Sequence, residues 1–137
     1  MAFVFLDRVV ECEPGQRVVA LKALAYNEEH FRDHFPGMPV MPGAMILEGL
    51  AQAARHCLAA APEGNDHWGL AEVAQARFLR LAVPGEVIRL EAQRDREEGD
   101  VVWFRGLASV GDESACRLRF AMRPLPVPGF DAGGKRA

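Results

Sequence analysis

The sequence predicts an α+β domain in which antiparallel strands accompany one long helix. Three observations carry this. Apolar and polar residues alternate through Val87 to Arg94, Val101 to Val110 and Ser114 to Met122, the period-two pattern of half-buried strands. Short polar turns, Glu97-Glu98-Gly99-Asp100 and Gly111-Asp112-Glu113, separate them, as hairpins require. Ala44 to Ala61 is instead rich in Ala, Leu and Met with no β-branched run, the composition of a helix.

Taken in order, Phe3 to Glu11 is β-branched and aromatic and reads as the first strand. Pro14-Gly15 closes it as a turn, and Arg17 to Ala25 continues as the second strand of a hairpin. Tyr26 to Met41 is polar and then Pro/Gly-rich, so it reads as loop. Pro42 suits the first turn of the helix, which ends before Pro62-Glu63-Gly64. His67 to Val83 fits neither helical nor strand periodicity cleanly. The three alternating strands follow, and from Leu125 the chain is a Pro/Gly-rich tail. The expected organisation is one domain over residues 1–124 and a tail over 125–137. A single helix covers five or six strands only if the sheet curls round it. A flat sheet with the helix laid across it has the same element order, so both arrangements stand at this point.

Composition narrows the function. At 137 residues, 50% hydrophobic and 26% charged, the chain suits one globular domain with a real core. A net charge of −3 gives no general attraction for nucleic acid. Cys12, Cys57 and Cys116 form no CxxC pair, which argues against a zinc ribbon or a disulfide framework and for reduced thiols in a cytoplasmic protein. Asp7 and Arg8 come too early for a signal peptide. Glu48, Gln52, Arg55 and His56 interrupt the longest apolar stretch, so it is not a membrane span.

Those same four residues fall at i, i+4, i+7 and i+8 on one helix face. Spacing alone favours a solvated stripe. The neighbours of Glu48 oppose that, because Ala44, Met45, Ile46, Leu47, Gly49, Leu50 and Ala51 are all apolar or small. Desolvation favours the protonated form of a carboxylic acid, so a carboxyl group buried there is suited to deliver a proton. Gln52, one turn on, can orient it by an amide hydrogen bond. His34 precedes Phe35-Pro36-Gly37, which holds the backbone in a turn. His30 and His34 would share a metal only on a helix, and the Pro-Gly turn argues against one, so no metal site is expected. Gly43 at the helix start offers an unpaired N–H to an oxyanion, or merely permits a tight turn into the helix.

The segment from His34 to Gly43, His-Phe-Pro-Gly-Met-Pro-Val-Met-Pro-Gly, followed by Leu47-Glu48 and Ala51-Gln52-Ala53, resembles the active-site signature of FabZ-type 3-hydroxyacyl-[acyl-carrier-protein] dehydratases. Phe5 to Val9, Ala76 to Arg80 and Val83 to Glu86 resemble further segments of that family, in family order. The resemblance implies a hotdog fold, a curved antiparallel sheet wrapped round the helix. It implies that His34 and Glu48 are the catalytic pair, meeting across a dimer interface. Gln52 would orient the carboxylate, and the Gly43 N–H would polarise the thioester carbonyl. The reaction implied is dehydration of a (3R)-3-hydroxyacyl thioester to the trans-2-enoyl thioester, without metal or redox cofactor. The implied partner is acyl carrier protein, with Arg77 and Arg80 as candidate contacts, and the implied assembly is a homodimer or a trimer of dimers. Glu rather than Asp at position 48 resembles the FabZ type more than the FabA isomerase type.

The chain departs from the pattern at Leu79 and Leu81, where the family usually carries Lys and Pro, and it starts close to the first strand. These departures leave open fatty-acid synthesis or a specialised acyl or polyketide pathway. Two other functions fit the same fold: an acyl thioesterase, which needs no HFPG histidine, and a non-catalytic acyl-binding subunit.

Overall fold

The structure, a computed structural model, describes residues 6–24, 43–62, 64–65 and 67–126. β1 (Arg8–Glu13) and β2 (Arg17–Ala23) make the opening hairpin. Its turn is closed by the Gln16 N–H donating to the Glu13 carbonyl at 2.8 Å. The helix, α1 (Gly43–Ala60), is followed by β3 (Trp68–Phe78), β4 (Val87–Glu98), β5 (Val101–Val110) and β6 (Glu113–Pro124). The predicted strand and helix types hold: among the described positions β5 ends where expected, the helix moves by one residue, and the largest shift is at the end of β4, which runs four residues past Arg94. The β4–β5 turn tightens to Gly99-Asp100, and Gly99 (φ +63°) and Gly111 (φ +57°) take the left-handed backbone that two-residue hairpins need.

Among the described residues the strands form one antiparallel sheet in the order β1-β2-β4-β5-β6-β3. Six strands laid flat span about 24 Å, twice the width of a helix. Yet α1 touches all six. The sheet therefore curls round the helix, which settles the choice left open by element order: this is the hotdog arrangement.

Small residues let the helix sit deep in the curl. Ala53, Ala54 and Cys57 have no exposed surface, and they meet Val18 and Ala20 of β2 and Ile88, Leu90 and Ala92 of β4, which are equally buried. At the far side Phe104 stacks on Phe120 with ring centroids 5.6 Å apart. A Cβ at Gly106 would lie 3.0 Å from Leu50 Cδ1, so β5 approaches the helix as closely as a missing side chain allows. The outer face of the sheet is polar. Arg17 and Arg89 donate to Glu91, and Arg119 donates to Asp95. Burial alone would raise the Glu91 carboxyl pKa, but the two guanidinium hydrogen bonds outweigh it and hold the group below its ordinary value.

β3 explains its own ambiguous sequence. Among the described residues it is an edge strand, as β1 is at the other end, and it is largely exposed on both faces, so no period-two pattern marks it. It also carries a bulge between Ala74 and Arg77, where Gln75 adopts φ +56°. Before the bulge, Val73 pairs with Phe120 on the helix side and Ala74 with Arg119 on the outer side. Unbroken alternation would send Arg77 inward and Phe78 outward. The extra residue reverses this: Arg77 pairs with Arg117 and Phe78 with the buried Cys116. Phe78 is thereby aimed at the helix.

Candidate active site

Glu48 stands about five residues, or about 7.5 Å, along α1 from its first residue, Gly43. It is half-buried, less enclosed than its apolar neighbours predict. The reason is helical geometry. Ile46, Leu50, Ala53, Ala54 and Cys57 face the sheet, and Glu48 lies about 200° round the axis from Ile46. The sheet covers one side of the helix, and Glu48 is on the other. Gln52 lies one turn on, and its Nε2 donates to Glu48 Oε1 at 3.1 Å. The other two members of the stripe do different things. Arg55 Nε donates to the Trp68 carbonyl at 3.0 Å and clips the helix to β3, while His56 is exposed. His34 lies outside the described residues.

Gly43 begins the helix, where the first N–H groups have no partner within it. A Cβ there would lie 2.7 Å from Cε1 and 2.8 Å from Cζ of Phe78, so the ring occupies the space a side chain would need. The sequence reading did not single out Phe78. Its only signal was membership of the Ala76-Arg77-Phe78 segment, and the bulge that aims it leaves no mark in a hydrophobic pattern.

Arg77 and Arg80 part company in the structure. Arg77 is exposed and stands directly opposite Arg117, next to a groove of about 440 Å³ lined in part by Arg105, Arg117 and Arg119. Arg80 is engaged internally. Its Nη2 donates to Glu86 Oε2 at 2.7 Å, and its Nε lies 3.8 Å from Glu113. Glu86 in turn accepts from the Val83 N–H at 3.0 Å, fastening the β3–β4 connection.

The model of the FabA-like domain family matches residues 1–119. The chain belongs to the FabA-like family. Within it the chain is of FabZ type, 42% identical over 132 residues to the 3-hydroxyacyl-[acyl-carrier-protein] dehydratase FabZ of Verminephrobacter eiseniae, covering 92% of this chain and 88% of that one. Among solved structures, this FabA-like fold is similar to a chain of the dehydratase heterocomplex ApeI:P from Xenorhabdus doucetiae, with TM-score 0.64 at 20% identity over 85% of this chain and 96% of that one. It is also similar to TTHA0967 of Thermus thermophilus, a thioesterase superfamily member, with TM-score 0.64 at 22% identity over 82% and 83%. At such identities the structural likeness establishes the hotdog fold and does not choose between the chemistries. Among the described residues, no helix of this FabA-like chain is long and apolar enough to cross a membrane.

The Arg80–Glu86 pair gives the FabA-like domain a testable acid response. The Arg80 guanidinium and the Val83 N–H hold the Glu86 carboxyl below its ordinary 4.5. A folded-state pKa below the unfolded one adds stability that is fully present at neutral pH and lost as pH falls from about 4.5 through the folded value. Glu86→Gln is therefore expected to flatten the acid limb of urea stability measured between pH 6 and pH 3. An acid limb identical to wild type would show that the pair does not couple to folding.

Proposed function

We propose that this protein removes water from 3-hydroxyacyl thioesters held on acyl carrier protein, giving trans-2-enoyl thioesters, in cytoplasmic fatty-acid synthesis. The observation that carries this reading is the Glu48–Gln52 pair on the open side of α1, in a chain so similar to FabZ dehydratases. Elimination needs a base at C2, an acid at the departing hydroxyl and a donor for the enolate-like oxygen. His34 takes the C2 proton, Glu48 protonates the hydroxyl so that it leaves as water, and the Gly43 N–H holds the thioester oxygen while negative charge develops there. Gln52 keeps the Glu48 carboxyl turned toward the substrate through the hydrogen bond from its Nε2.

The site is completed by a second protomer. Glu48 faces away from its own sheet, and among the described residues β3 is an edge strand carrying Leu70, Val73 and Phe78, each 40% or more exposed. An edge strand with that much apolar surface is a pairing surface. In this reading the His34 of one protomer serves the Glu48 of the other, and the assembly is a homodimer or a trimer of such dimers. Two inactive variants, His34→Ala and Glu48→Gln, are then expected to regain dehydratase turnover when refolded together. A stable monomer in solution, or no recovery on mixing, would overturn the shared site.

Arg77 is the better placed of the two candidate carrier contacts, since it is exposed beside Arg117 whereas Arg80 is held by Glu86. Charge reversal at Arg77 is expected to raise KM for a carrier-bound substrate about tenfold, as loss of electrostatic attraction does. KM for the same acyl group on a short pantetheine thioester should not move. Equal changes on both substrates would remove Arg77 from the docking surface.

A further inference from the structure

Phe78 is 58% exposed, yet its ring edge sits against Gly43, at the start of α1. Three features of β3 converge on that contact. The bulge at Gln75 uses a left-handed backbone that an L residue adopts at a cost, and its effect is to turn Phe78 from the outer to the inner face of the sheet. The strand ends at Phe78, and the next two N–H groups, of Leu79 and Arg80, both donate to the Ala115 carbonyl, at 2.8 and 3.3 Å. That fixes the backbone on the C-terminal side of the ring. On the helix side, glycine at position 43 lets the ring sit this close, because a Cβ would lie 2.7 Å from Cε1 and either the ring or the helix start would have to shift.

The first turn of a helix frays readily, having unpaired N–H groups and few intrahelical bonds. An aromatic ring seated on its first residue, and held from behind by a pinned strand end, opposes that fraying. We propose that Phe78 is a positioning residue: its ring holds Gly43 in the helical geometry in which the amide N–H meets the developing oxyanion of the thioester. The inference rests on the dehydratase reading for the role of Gly43. The contact between ring and glycine stands without it.

Because the role lies in the transition state rather than in substrate capture, loss of the ring acts on kcat. Phe78→Ala is expected to lower kcat at least tenfold with KM within twofold of wild type, and Phe78→Tyr, which keeps the ring, to stay within threefold of wild-type kcat. Amide exchange at Gly43, followed by NMR, should quicken at least tenfold in Phe78→Ala, a readout that needs no turnover. A double-mutant cycle with Gly43→Ala completes the test. In the wild-type background the new methyl collides with the ring, and in the Phe78→Ala background it has room. Gly43→Ala should then cost at least threefold less in kcat once the ring is gone.

Independent, multiplicative effects of the two substitutions, or unchanged Gly43 exchange in Phe78→Ala, would overturn the proposal. Should Phe78→Ala not fold, Phe78→Leu carries the same comparisons with a smaller ring-free side chain. A wild-type protein without any dehydratase turnover would sink the functional reading, and the exchange measurement would still decide whether Phe78 holds Gly43.

Discussion

Replacing Glu48 by Gln should lower dehydratase kcat by a factor of about 10²–10⁴, the range for loss of one general acid. The substitution keeps the shape of the side chain and leaves an amide that Gln52 can still meet, so the fold should be undisturbed. Thermal unfolding within a degree or two of wild type, together with a collapsed kcat, is the expected pair of results. KM should change little, because the carboxyl acts on the departing hydroxyl rather than on the acyl chain. His34→Ala should fall by a similar factor, and the double variant by little more than either, since an acid and a base that act on one substrate in one elimination do not contribute independently. A kcat for Glu48→Gln within threefold of wild type would mean that this carboxyl is only a hydrogen-bond partner for Gln52.

The second large effect concerns stability. Phe104→Ala is expected to cost about 3–5 kcal/mol, the range for removing a buried aromatic ring. Phe104 has no exposed surface, stacks on Phe120 at 5.6 Å, and belongs to the core packed around Leu50. The space it leaves is bounded by strands whose register is fixed by hydrogen bonds on both sides, so collapse into it is limited. Against a total stability of about 5–15 kcal/mol for a domain, that loss brings the fold near its threshold. Urea unfolding followed by far-ultraviolet circular dichroism measures it. A loss below about 1 kcal/mol would show that the sheet closes over the gap. The contrast with Phe78 is instructive: one ring is buried in the core, the other is mostly exposed and sits against Gly43.

How much of this was legible beforehand depends on which physical signal each feature leaves. β5 and the helix left strong ones. Val101 to Val110 alternates because one face is core and the other is solvated, and Ala44 to Ala61 is built of helix formers. β3 left none, because an exposed edge strand has no buried face to write a period, and its bulge breaks what alternation there is. The curl of the sheet was not in any local pattern either. It follows from α1 having to cover six strands, a constraint visible only once their number and order are known.

The candidate site divides in the same way. Spacing alone put Glu48 and Gln52 in a solvated stripe; the apolar neighbours and the family signature made them candidates. What spacing did not show is which way Glu48 points. Apolar residues on both sides in sequence suggested enclosure, yet they belong to the face that meets the sheet while the carboxyl belongs to the opposite one. The proposed shared site requires a carboxyl left open in this way within one chain. Arg80 illustrates the converse. Named with Arg77 as a candidate carrier contact, it is partly buried and held by Glu86, six residues on, across the β3–β4 connection.

The most direct test of the account is to give the purified wild-type protein a 3-hydroxyacyl thioester on acyl carrier protein and follow the acyl group and the free thiol together by mass. The account predicts loss of one water to the trans-2-enoyl thioester, reversible from the enoyl side, with the thioester bond intact. Release of free thiol without an enoyl product, or no change in the substrate at all, would contradict it.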